Sequence, residues 1–515
     1  SIPHLPSMPS AAPESARPAP PRRIAIVGGV MTGLAAAHRL GELDPSVEVR
    51  LFEASARVGG VLETARDDGF LVERSADNFI SNVPYAVDLC RRLGFSDELL
   101  STNDTFRRAF VVRRGRLYPV PDGFMLMAAQ KVWPVLTTRL LSPWGTLRLL
   151  GEYFVARQEV EDESLASFAR RRLGREAFER LVQPLVGGIY TADAEQLSLA
   201  ATLPRFLEME RKHGGLIRAA LQQRKQNRRA ATGASAGSDT QANRDPSAGR
   251  PASAASESGA RYSLFLAPRL GMSQLVDALT ARIAPETLQR EAAVERLEYR
   301  AGHWAVHYRQ GGGEASYQAD AVIVATPAYH AAQLLQTCDA SLAAQLEAIP
   351  YAGSAVVSLG YRRDQLRHPL DGFGFVVPAV ERREILAGSF SSVKFPGRAP
   401  DGSALIRVFL GGSTHPHLVD APESELQTIA QRELKELLGA SGAPQVCLVT
   451  RWRNRMPQYH LGHLQRVVQI EAAAAAHPGL ALAGSAYRGV GIPDCIRSGE
   501  RAAEKLLGKA APADT

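Results

Sequence analysis

Cysteines and long apolar runs are scarce in this sequence, and each absence excludes a class of protein. No window reaches the roughly 18 uncharged apolar residues that a membrane-spanning helix needs. Residues 1–21 are rich in proline, alanine and serine and lack the apolar centre of a secretory signal, so this leader is predicted to be disordered. The cysteines are too far apart for a metal-binding spacing or a redox pair, and a reducing compartment is expected. They are Cys90, Cys338, Cys447 and Cys495.

The charge of the chain is basic but diffuse. Its 515 residues carry a net charge of +7, and the even spread favours a solvated cationic surface over a dedicated acidic partner. Residues 222–260 are different, because arginine, alanine, glycine and serine replace large apolar residues there, and a disordered insertion is predicted. Its arginines have no interleaved aromatic residues, so no nucleic-acid partner is expected. A chain of this length buries a large core and should hold more than one domain.

The stretch 22–53 has the pattern of a βαβ unit that binds a dinucleotide. A short β-branched strand ends at Gly28 and Gly29, an alanine-rich helix opens at Gly33, and a second strand ends at Glu53. In such units the glycines let a pyrophosphate approach bare backbone, and the acid accepts hydrogen bonds from the ribose hydroxyls. We therefore expect a phosphate to bind at this turn.

Two neighbouring features bear on the identity of the cofactor. Val30 stands where the pattern has its middle glycine, and its side chain is expected to crowd the pyrophosphate. An ordinary strand-to-helix connection is therefore the alternative interpretation. Against it, Arg57 and the pair Gly59 and Gly60 follow Glu53 closely, supplying a cation and bare amides beside the same path. This combination is typical of flavin sites, and the predicted cofactor is FAD.

Later segments are predicted to complete the same domain. Residues 321–325 form a buried apolar strand, and 479–484 form another that leads into a glycine-rich turn and a helix. The predicted fold class is α/β, with a discontinuous Rossmann-like FAD-binding domain, a mixed β-sheet substrate-binding domain and a helical membrane-binding segment. The FAD-binding domain is assigned to residues 22–88, 262–332 and 476–508, the mainly helical membrane-binding segment to 89–215, and the substrate-binding domain to 333–475.

The segment 124–155 leaves two interpretations open. Its apolar stretches include Trp133 and Trp144 near prolines. Helices of this composition lie on a membrane surface in some proteins and pack in a core in others. Salt-sensitive lipid binding would distinguish the two interpretations, because the segment carries three cations. These are Lys131, Arg139 and Arg148.

Several distinct short motifs occur along the chain in a recognisable order. They are residues 187–193 (GGIYTAD), 372–378 (GFGFVVP), 390–392 (FSS), 395–400 (FPGRAP), 451–452 (RW), 457–459 (PQY), 462–463 (GH) and 483–499. Together they resemble the protoporphyrinogen and coproporphyrinogen oxidase family of the FAD-dependent amine oxidase-like superfamily. The resemblance extends over about residues 22–507, apart from the predicted insertion.

Residue by residue, the resemblance implies which positions contact FAD. These positions are Gly28, Gly29, Val30, Met31, Thr32, Gly33, Glu53, Ala54, Arg57, Gly60, Val61, Ser75, Ala76, Asp77, Asn78, Val294, Ser485, Val490, Gly491 and Ile492. The backbone carbonyl of Gly188 and the side chains of Val376 and Phe390 are implied to hold the substrate macrocycle. Two departures from the family pattern concern the cofactor: Val30 replaces a glycine, and Ser75 and Ala76 stand where the family commonly has Gly-Pro.

The resemblance implies an activity in haem and porphyrin biosynthesis. A porphyrinogen loses six electrons in three two-electron steps, and oxygen commonly reoxidises the flavin. Because hydride transfer to a flavin depends on position and orientation more than on a protein base, no catalytic acid or base and no metal is assigned. Protoporphyrinogen IX and coproporphyrinogen III both remain candidate substrates.

Other functions remain open at this stage. Another flavin amine oxidase or a carotenoid desaturase would share the nucleotide elements, although not the motifs at 187–193 and 372–378. Because of Val30, a cofactor-poor protein that holds a porphyrinogen without oxidising it is a further alternative. The expected location is cytoplasmic with peripheral membrane contact, and a homodimer is left open.

Overall fold

The computed structural model describes residues 22–129, 132–235 and 264–509. Its strands are β1 (Arg23–Val27), β2 (Glu48–Phe52), β3 (Thr64–Asp67), β4 (Phe70–Glu73), β5 (Phe79–Ile80), β6 (Leu99–Ser101), β7 (Phe110–Arg113), β8 (Arg116–Pro119), β9 (Phe124–Met125), β10 (Ala128–Ala129), β11 (Phe265–Pro268), β12 (Leu288–Gln289), β13 (Ala292–Arg300), β14 (His303–Gln310), β15 (Gly313–Ala319), β16 (Ala321–Val324), β17 (Tyr351–Arg362), β18 (Gly374–Val376), β19 (Ile385–Phe390), β20 (Ser403–Gly411), β21 (Val446–Pro457) and β22 (Leu480–Leu482).

Its helices are α1 (Met31–Leu43), α2 (Tyr85–Arg92), α3 (Val132–Leu136), α4 (Pro143–Leu150), α5 (Leu165–Leu173), α6 (Arg175–Ala177), α7 (Gln183–Tyr190), α8 (Leu199–Thr202), α9 (Pro204–His213), α10 (Leu216–Ser235), α11 (Met272–Thr280), α12 (Ala328–Leu335), α13 (Ala340–Glu347), α14 (Ser391–Lys394), α15 (Glu423–Leu438), α16 (His463–Ala475) and α17 (Ile492–Leu506).

A five-stranded parallel sheet forms the nucleotide-binding part, in the order β12-β2-β1-β16-β22. Successive residues of β1 face opposite sides, as expected for a strand. Ile24 and Ile26 pack with α1, α11 and α17 in one core, whereas Ala25 and Val27 pack with the β13-β14-β15 sheet in another. Burial of both faces explains the nearly continuous apolar character of β1 and β16. Strands from all three ranges assigned to the FAD-binding domain lie in this sheet.

A second, seven-stranded sheet has the order β21-β17-β20-β19-β18-β7-β8. The sheet is mixed, because β18 and β7 pair in parallel whereas all its other adjacent strands pair antiparallel. The apolar side of α15 covers one face, with Leu426, Leu434 and Leu438 packed against Val357 and Ile406. The β7-β8 hairpin therefore belongs to this sheet, although the sequence analysis placed it in the helical segment 89–215. Its correct partner, β18, lies more than 250 residues further along the chain, so no local pattern indicated the pairing.

Helices α3 to α10 form a third unit around their own apolar core. The guanidinium of Arg172 is fully buried there and pairs with the equally buried Glu152. Nη1 of Arg172 also lies 3.3 Å from Glu210 Oε1. Among the described helices, none is both long and apolar enough to cross a membrane.

Helix α10 extends into the range that was predicted to be a disordered insertion. Residues 222–235 continue α10 to Ser235, because arginine, glutamine, lysine and alanine have high helix propensity. A shortage of large apolar residues therefore does not by itself predict disorder in this stretch. Residues 236–260 of the predicted insertion and the predicted leader 1–21 lie outside the described residues.

Candidate functional site

The predicted phosphate-binding turn lies at the carboxyl end of β1. Gly28 adopts φ 107°, and its N–H donates a hydrogen bond to Phe52 O over 2.8 Å. A Cβ on Gly28 would lie 2.9 Å from Ala325 O, and a Cβ on Gly33 would lie 2.0 Å from Gly28 O. Both glycines are therefore required for this turn to approach β16 and α1.

The N-terminus of α1 is open for an anion. Val30 is its N-cap residue in an extended conformation, and neither a side-chain cap nor an acidic residue occupies the first turn. The backbone N–H groups of Met31, Thr32 and Gly33 have no carbonyl partner within the helix at this end, and the helix dipole favours negative charge there. The turn and the open helix end thus fit the pyrophosphate of a dinucleotide.

Val30 lies between the phosphate turn and a second glycine segment. It forms a parallel bridge with Gly59, whose N–H donates to Gly29 O over 2.7 Å. A Cβ on Gly60 would lie 2.6 Å from Val30 Cγ1. The valine side chain therefore lies directly against Gly60, which is compatible with it because glycine has no side chain.

The carboxylate of Glu53 is held rigidly at the end of β2. Its Oε2 accepts a hydrogen bond from the N–H of Gly29 over 2.8 Å, and its Oε1 accepts from the N–H and hydroxyl of Ser55 over 2.9 and 2.6 Å. A carboxylate has about four acceptor positions, so one remains for a ribose hydroxyl. The adjacent Ala54 is exposed.

Val294 and Arg57 reach this region in different ways. Val294 lies at a β-bulge in β13, and the neighbouring Ala292 donates its N–H to Glu53 O over 2.9 Å. The guanidinium of Arg57 instead turns back on its own loop, donating to the carbonyl of Gly60 and pairing with Glu63 at 3.2 Å. Val294 is therefore placed beside the ribose end of the site, whereas Arg57 orders the loop that leads to Val61.

The turn of residues 75–78 is held between the two sheets. The hydroxyl of Ser75 donates to Val61 O over 2.6 Å, while Ala76 is exposed and Asn78 donates to the Asp77 carboxylate. Burial opposes ionisation of Asp77, but the charges of Lys394 and Arg407 outweigh it and hold the pKa of Asp77 below its usual range.

Sequence reasoning missed Lys394 and Arg407 as components of the site. Lys394 lies at the end of α14, between the quoted motifs 390–392 and 395–400, and Arg407 is a lone charged residue in the apolar strand β20. A buried charge in an otherwise apolar strand is unusual unless it has a partner. That signal alone could have pointed to Arg407.

The C-terminal part of the predicted site adjoins α1. A Cβ on Gly499 would lie 2.1 Å from Thr32 O, so α17 packs very closely against the phosphate-binding helix. Ahead of α17, the Tyr459 hydroxyl donates to Ser485 O over 2.6 Å and accepts from Gly489 N–H over 2.8 Å. Tyr459, which was not predicted as a site residue, thereby sets the path of the loop containing Ser485.

The N-terminus of α17 is already faced by an acidic side chain. Val490 and Gly491 lead into Ile492, the first residue of the helix, and Gly491 N–H donates to Asp494 Oδ2 over 3.2 Å. Burial raises the pKa of Asp494 above its usual range. The partial positive charge that the helix dipole places at the N-terminus of α17 is thus partly offset by the carboxyl group of Asp494.

Two of the three predicted substrate residues are neighbours. A Cβ on Gly188 in α7 would lie 3.5 Å from Val376 Cγ1 in β18. Phe390 is different, because it is fully buried in the core beneath α15, 6.0 Å from the Phe375 ring centroid. The structure therefore brings Gly188 and Val376 together but places Phe390 away from them, in a role of core packing.

Two adjoining spaces open beside α7. A narrow one includes Gly188 and Val377 in its lining. A larger cleft of about 340 Å³ has a mixed lining, with Tyr351 and Val419 as well as Asp193, Arg453 and His460. Ser413 borders both spaces. Concave spaces with both apolar and polar lining groups suit a ligand that combines a large ring with polar substituents.

The family profile described as flavin containing amine oxidoreductase matches residues 31–507. The chain belongs to this family. The predictions of a flavoprotein oxidoreductase, of FAD as the cofactor and of the α/β fold are confirmed at the level of the family.

Several relatives match over nearly the whole chain. Coproporphyrinogen III oxidase of Bacillus subtilis (strain 168) is 32% identical over 492 residues, covering 94% of this chain and 98% of the relative. Chloroplastic protoporphyrinogen oxidase 1 of Spinacia oleracea is 30% identical over 502 residues, covering 94% and 83%. The resemblance stated from the sequence motifs is thus confirmed.

Solved structures agree with these relatives. A crystal structure from Exiguobacterium sp. 255-15, of a protein provisionally named protoporphyrinogen oxidase, has a TM-score of 0.80 and 27% identity, covering 95% of this chain and 99% of that chain. A putrescine oxidase variant shares the fold with a TM-score of 0.63 at 16% identity, covering 95% and 99%.

Proposed function

We propose that this protein is an FAD-dependent oxidase that converts a porphyrinogen into the porphyrin. One observation carries the proposal: relatives named coproporphyrinogen III oxidase match 94% of the chain at 28–35% identity. Amine oxidases of the same fold are only 16% identical, which argues against the amine oxidase alternative. Oxygen is the proposed electron acceptor.

The residues of the chain act by binding and orientation. The turn at Gly28, Glu53 and the turn of residues 75–78 would hold FAD, which would supply the acceptor for a hydride from a ring-linking carbon of the macrocycle. Gly188 and Val376 lie side by side and provide a surface against which the flat macrocycle packs, and Arg453 and His460 of the neighbouring cleft interact with its carboxylate groups. No side chain is needed as a general base for this transfer, because distance and alignment of the reacting atoms dominate its rate.

Turnover of both porphyrinogens tests the proposal directly. Purified protein should show a flavin spectrum, produce fluorescent porphyrin from coproporphyrinogen III or protoporphyrinogen IX, and consume oxygen. Flavin without turnover of either porphyrinogen would favour an amine oxidase or desaturase, which amine and carotenoid substrates would then identify. Porphyrinogen binding without flavin would indicate a cofactor-poor binding protein.

A matched pair of variants tests the wall beside α7. Gly188→Leu fills the space next to Val376 and should raise KM for the porphyrinogen. Gly41→Leu makes the same change on an exposed part of α1, where a Cβ meets no atom within 4 Å, and should leave KM unchanged. Equal KM values for the two variants would remove Gly188 from the proposed substrate site.

We also propose that α3, α4 and the turn after α4 lie on a lipid surface. Trp133, Trp144 and Phe154 are 74%, 79% and 81% exposed, whereas large apolar side chains in a core would be covered. Arg139 is exposed nearby. Lys131 lies outside the described residues, and Arg148 donates to carbonyls at the end of α5, including Arg172 O over 3.0 Å, so it serves the protein rather than lipid.

Vesicle flotation tests this surface. The Trp133→Ser and Trp144→Ser double variant should lose binding to vesicles containing anionic lipid, whereas Leu464→Ser, at another exposed apolar position on α16, should not. If the unmodified protein does not float with the vesicles, and sedimentation shows that Trp133 and Trp144 are needed for a homodimer, the surface is a subunit contact instead.

A further inference from the structure

A buried cluster of charge crosses the boundary between the two sheets at the turn of residues 75–78. Lys394 Nζ lies 3.1 and 3.2 Å from the two carboxylate oxygens of Asp77, and Arg407 Nη1 lies 3.6 Å from Asp77 Oδ2. The side chains of Lys394, Arg407 and Asp77 are only 15%, 2% and 12% exposed. Both cations come from the substrate side, whereas Asp77 comes from the nucleotide side.

The cluster contains more positive than negative charge. Two cations share the single carboxylate of Asp77, and Arg407 Nε is buried with no hydrogen-bond partner among the described residues. Arg398 and Glu73 interact with the same groups; since burial raises the pKa of Glu73 to about 7, Glu73 at most cancels the charge of Arg398 and the positive excess remains. An uncompensated buried cation is strongly unfavourable, so this arrangement favours an anion that is not part of the chain.

The position of the cluster indicates where that anion lies. Arg407 donates to the carbonyl of Ser75, while Ser75 Oγ donates to Val61 O beside the phosphate path. On the other side, Trp452 Nε1 in β21 donates to Arg74 O over 2.8 Å. The turn is therefore clamped between the phosphate loop and the seven-stranded sheet, where the nucleotide and substrate parts meet.

Neighbouring residues of β20 show that Arg407 is directed towards this boundary. Ile406 and Val408 pack in the core beneath α15, and successive side chains of a strand alternate between faces. Arg407 therefore projects from the face of the sheet opposite α15. Its apolar neighbours and low exposure keep water away, which strengthens its electrostatic effect on any group at the boundary.

We propose that Lys394 and Arg407 stabilise the negative charge of the reduced flavin, and that Asp77 orients these two cations and limits their effect. The proposal rests on the proposed function in that FAD occupies the turn of residues 75–78. Bound FAD that takes up a hydride, two electrons and one proton, from the substrate carries one negative charge. The N-terminus of α17 contributes partial positive charge as well, but Asp494 already faces it. The buried cations add positive charge at this boundary and raise the reduction potential.

The reduction potential of the bound flavin measures this effect without any porphyrinogen. The purified holoprotein is equilibrated with a dye of known potential, and the flavin absorbance reports the reduced fraction. Lys394→Met removes one positive charge, so the protein should bind reduced flavin at least tenfold less tightly relative to oxidised flavin. At 29.6 mV per tenfold, this lowers the reduction potential of the flavin by about 30 mV or more. Asp77→Asn removes the negative charge and should shift the potential upward by at least the same amount.

Two further variants separate charge from packing. Lys394→Arg keeps the charge and should restore most of the parent potential. Lys435→Met removes an exposed lysine from α15 and should leave the potential unchanged. A purely structural role for the cluster would move the Lys394→Met and Asp77→Asn potentials in the same direction, which would overturn the proposal. If Lys394→Met fails to retain flavin, the upward shift of Asp77→Asn decides alone.

These outcomes are independent of the porphyrinogen assay. Opposite potential shifts in a protein that turns over neither porphyrinogen would support the charge cluster and refute the proposed substrate. Unchanged potentials in a protein that oxidises porphyrinogen would refute the charge cluster and leave the proposed function intact.

Discussion

Replacing Val30 by glycine should tighten FAD binding roughly ten- to a hundredfold. In the structure the valine side chain lies against Gly60, on the path between the open end of α1 and the loop that follows Glu53. Crowding of this kind typically costs about 1–3 kcal/mol, and 1.4 kcal/mol corresponds to about tenfold in affinity. The extended φ and ψ of Val30, −76° and 173°, do not require glycine, so the effect comes from the side chain.

The same substitution should weaken the apoprotein. Val30 is half-buried, so loss of its three side-chain carbons removes about 1 kcal/mol of burial at roughly 0.8 kcal/mol per fully buried CH₂. Added backbone freedom costs about 0.5–1 kcal/mol more. Titration of apoprotein with FAD, followed by flavin fluorescence quenching, and thermal melts without FAD should therefore move in opposite directions.

Gly60→Ala supplies a second arm of the test. Alone it should be severely destabilising, because its Cβ would lie 2.6 Å from Val30 Cγ1 and its φ of 60° is left-handed. Combined with Val30→Gly it should recover partly, leaving the backbone strain of about 1–2 kcal/mol. Unchanged FAD affinity together with no recovery in the double variant would refute the claim that Val30 occupies the pyrophosphate path.

Three further predictions concern neighbouring groups. Glu53→Ala should weaken FAD binding by about 1.5–3 kcal/mol, because a charged acceptor is lost; an unchanged dissociation constant would exclude a ribose contact. Gly33→Ala places a Cβ 2.0 Å from a backbone oxygen, whereas Gly41→Ala meets no atom within 4 Å. The first should lower Tm sharply and the second should stabilise α1 by about 0.5–1 kcal/mol; equal shifts would contradict the tight turn. Burial raises the pKa of Glu73 from 4.5 to about 7, so the folded protein retains a proton that the unfolded chain releases. The free energy of unfolding should therefore fall by up to about 3 kcal/mol as the pH rises between these values, and denaturant titrations of Glu73→Gln should show no such slope.

The phosphate turn could be predicted because its chemistry is local. Gly28, Gly33 and Glu53 lie within one βαβ unit. The two glycines are needed for the close backbone approach and Glu53 for its carboxylate, and their spacing along the chain is enough to recognise the unit. Val30 was recognised as a departure from the same pattern. The structure adds that its side chain lies against Gly60, which a one-dimensional spacing does not contain.

Long-range packing decided the parts that were missed. Lys394 contacts Asp77, from which it is separated by 317 positions in the sequence. The β7-β8 hairpin joins the seven-stranded sheet through β18, which lies far along the chain. Phe390 was assigned to the macrocycle by its place in a motif, but the register of β19 against β20 directs it into the core beneath α15.

By itself the sequence determined the cofactor class and predicted the glycine turn at the end of β1, because bare backbone and a terminal carboxylate act at short range. Only the tertiary structure decided which charges are buried together. The alternation of side chains along β20 turns Arg407 away from α15, and the meeting of two sheets excludes water from Lys394 and Asp77. Electrostatic effects depend on distance and burial, and both are properties of the folded chain.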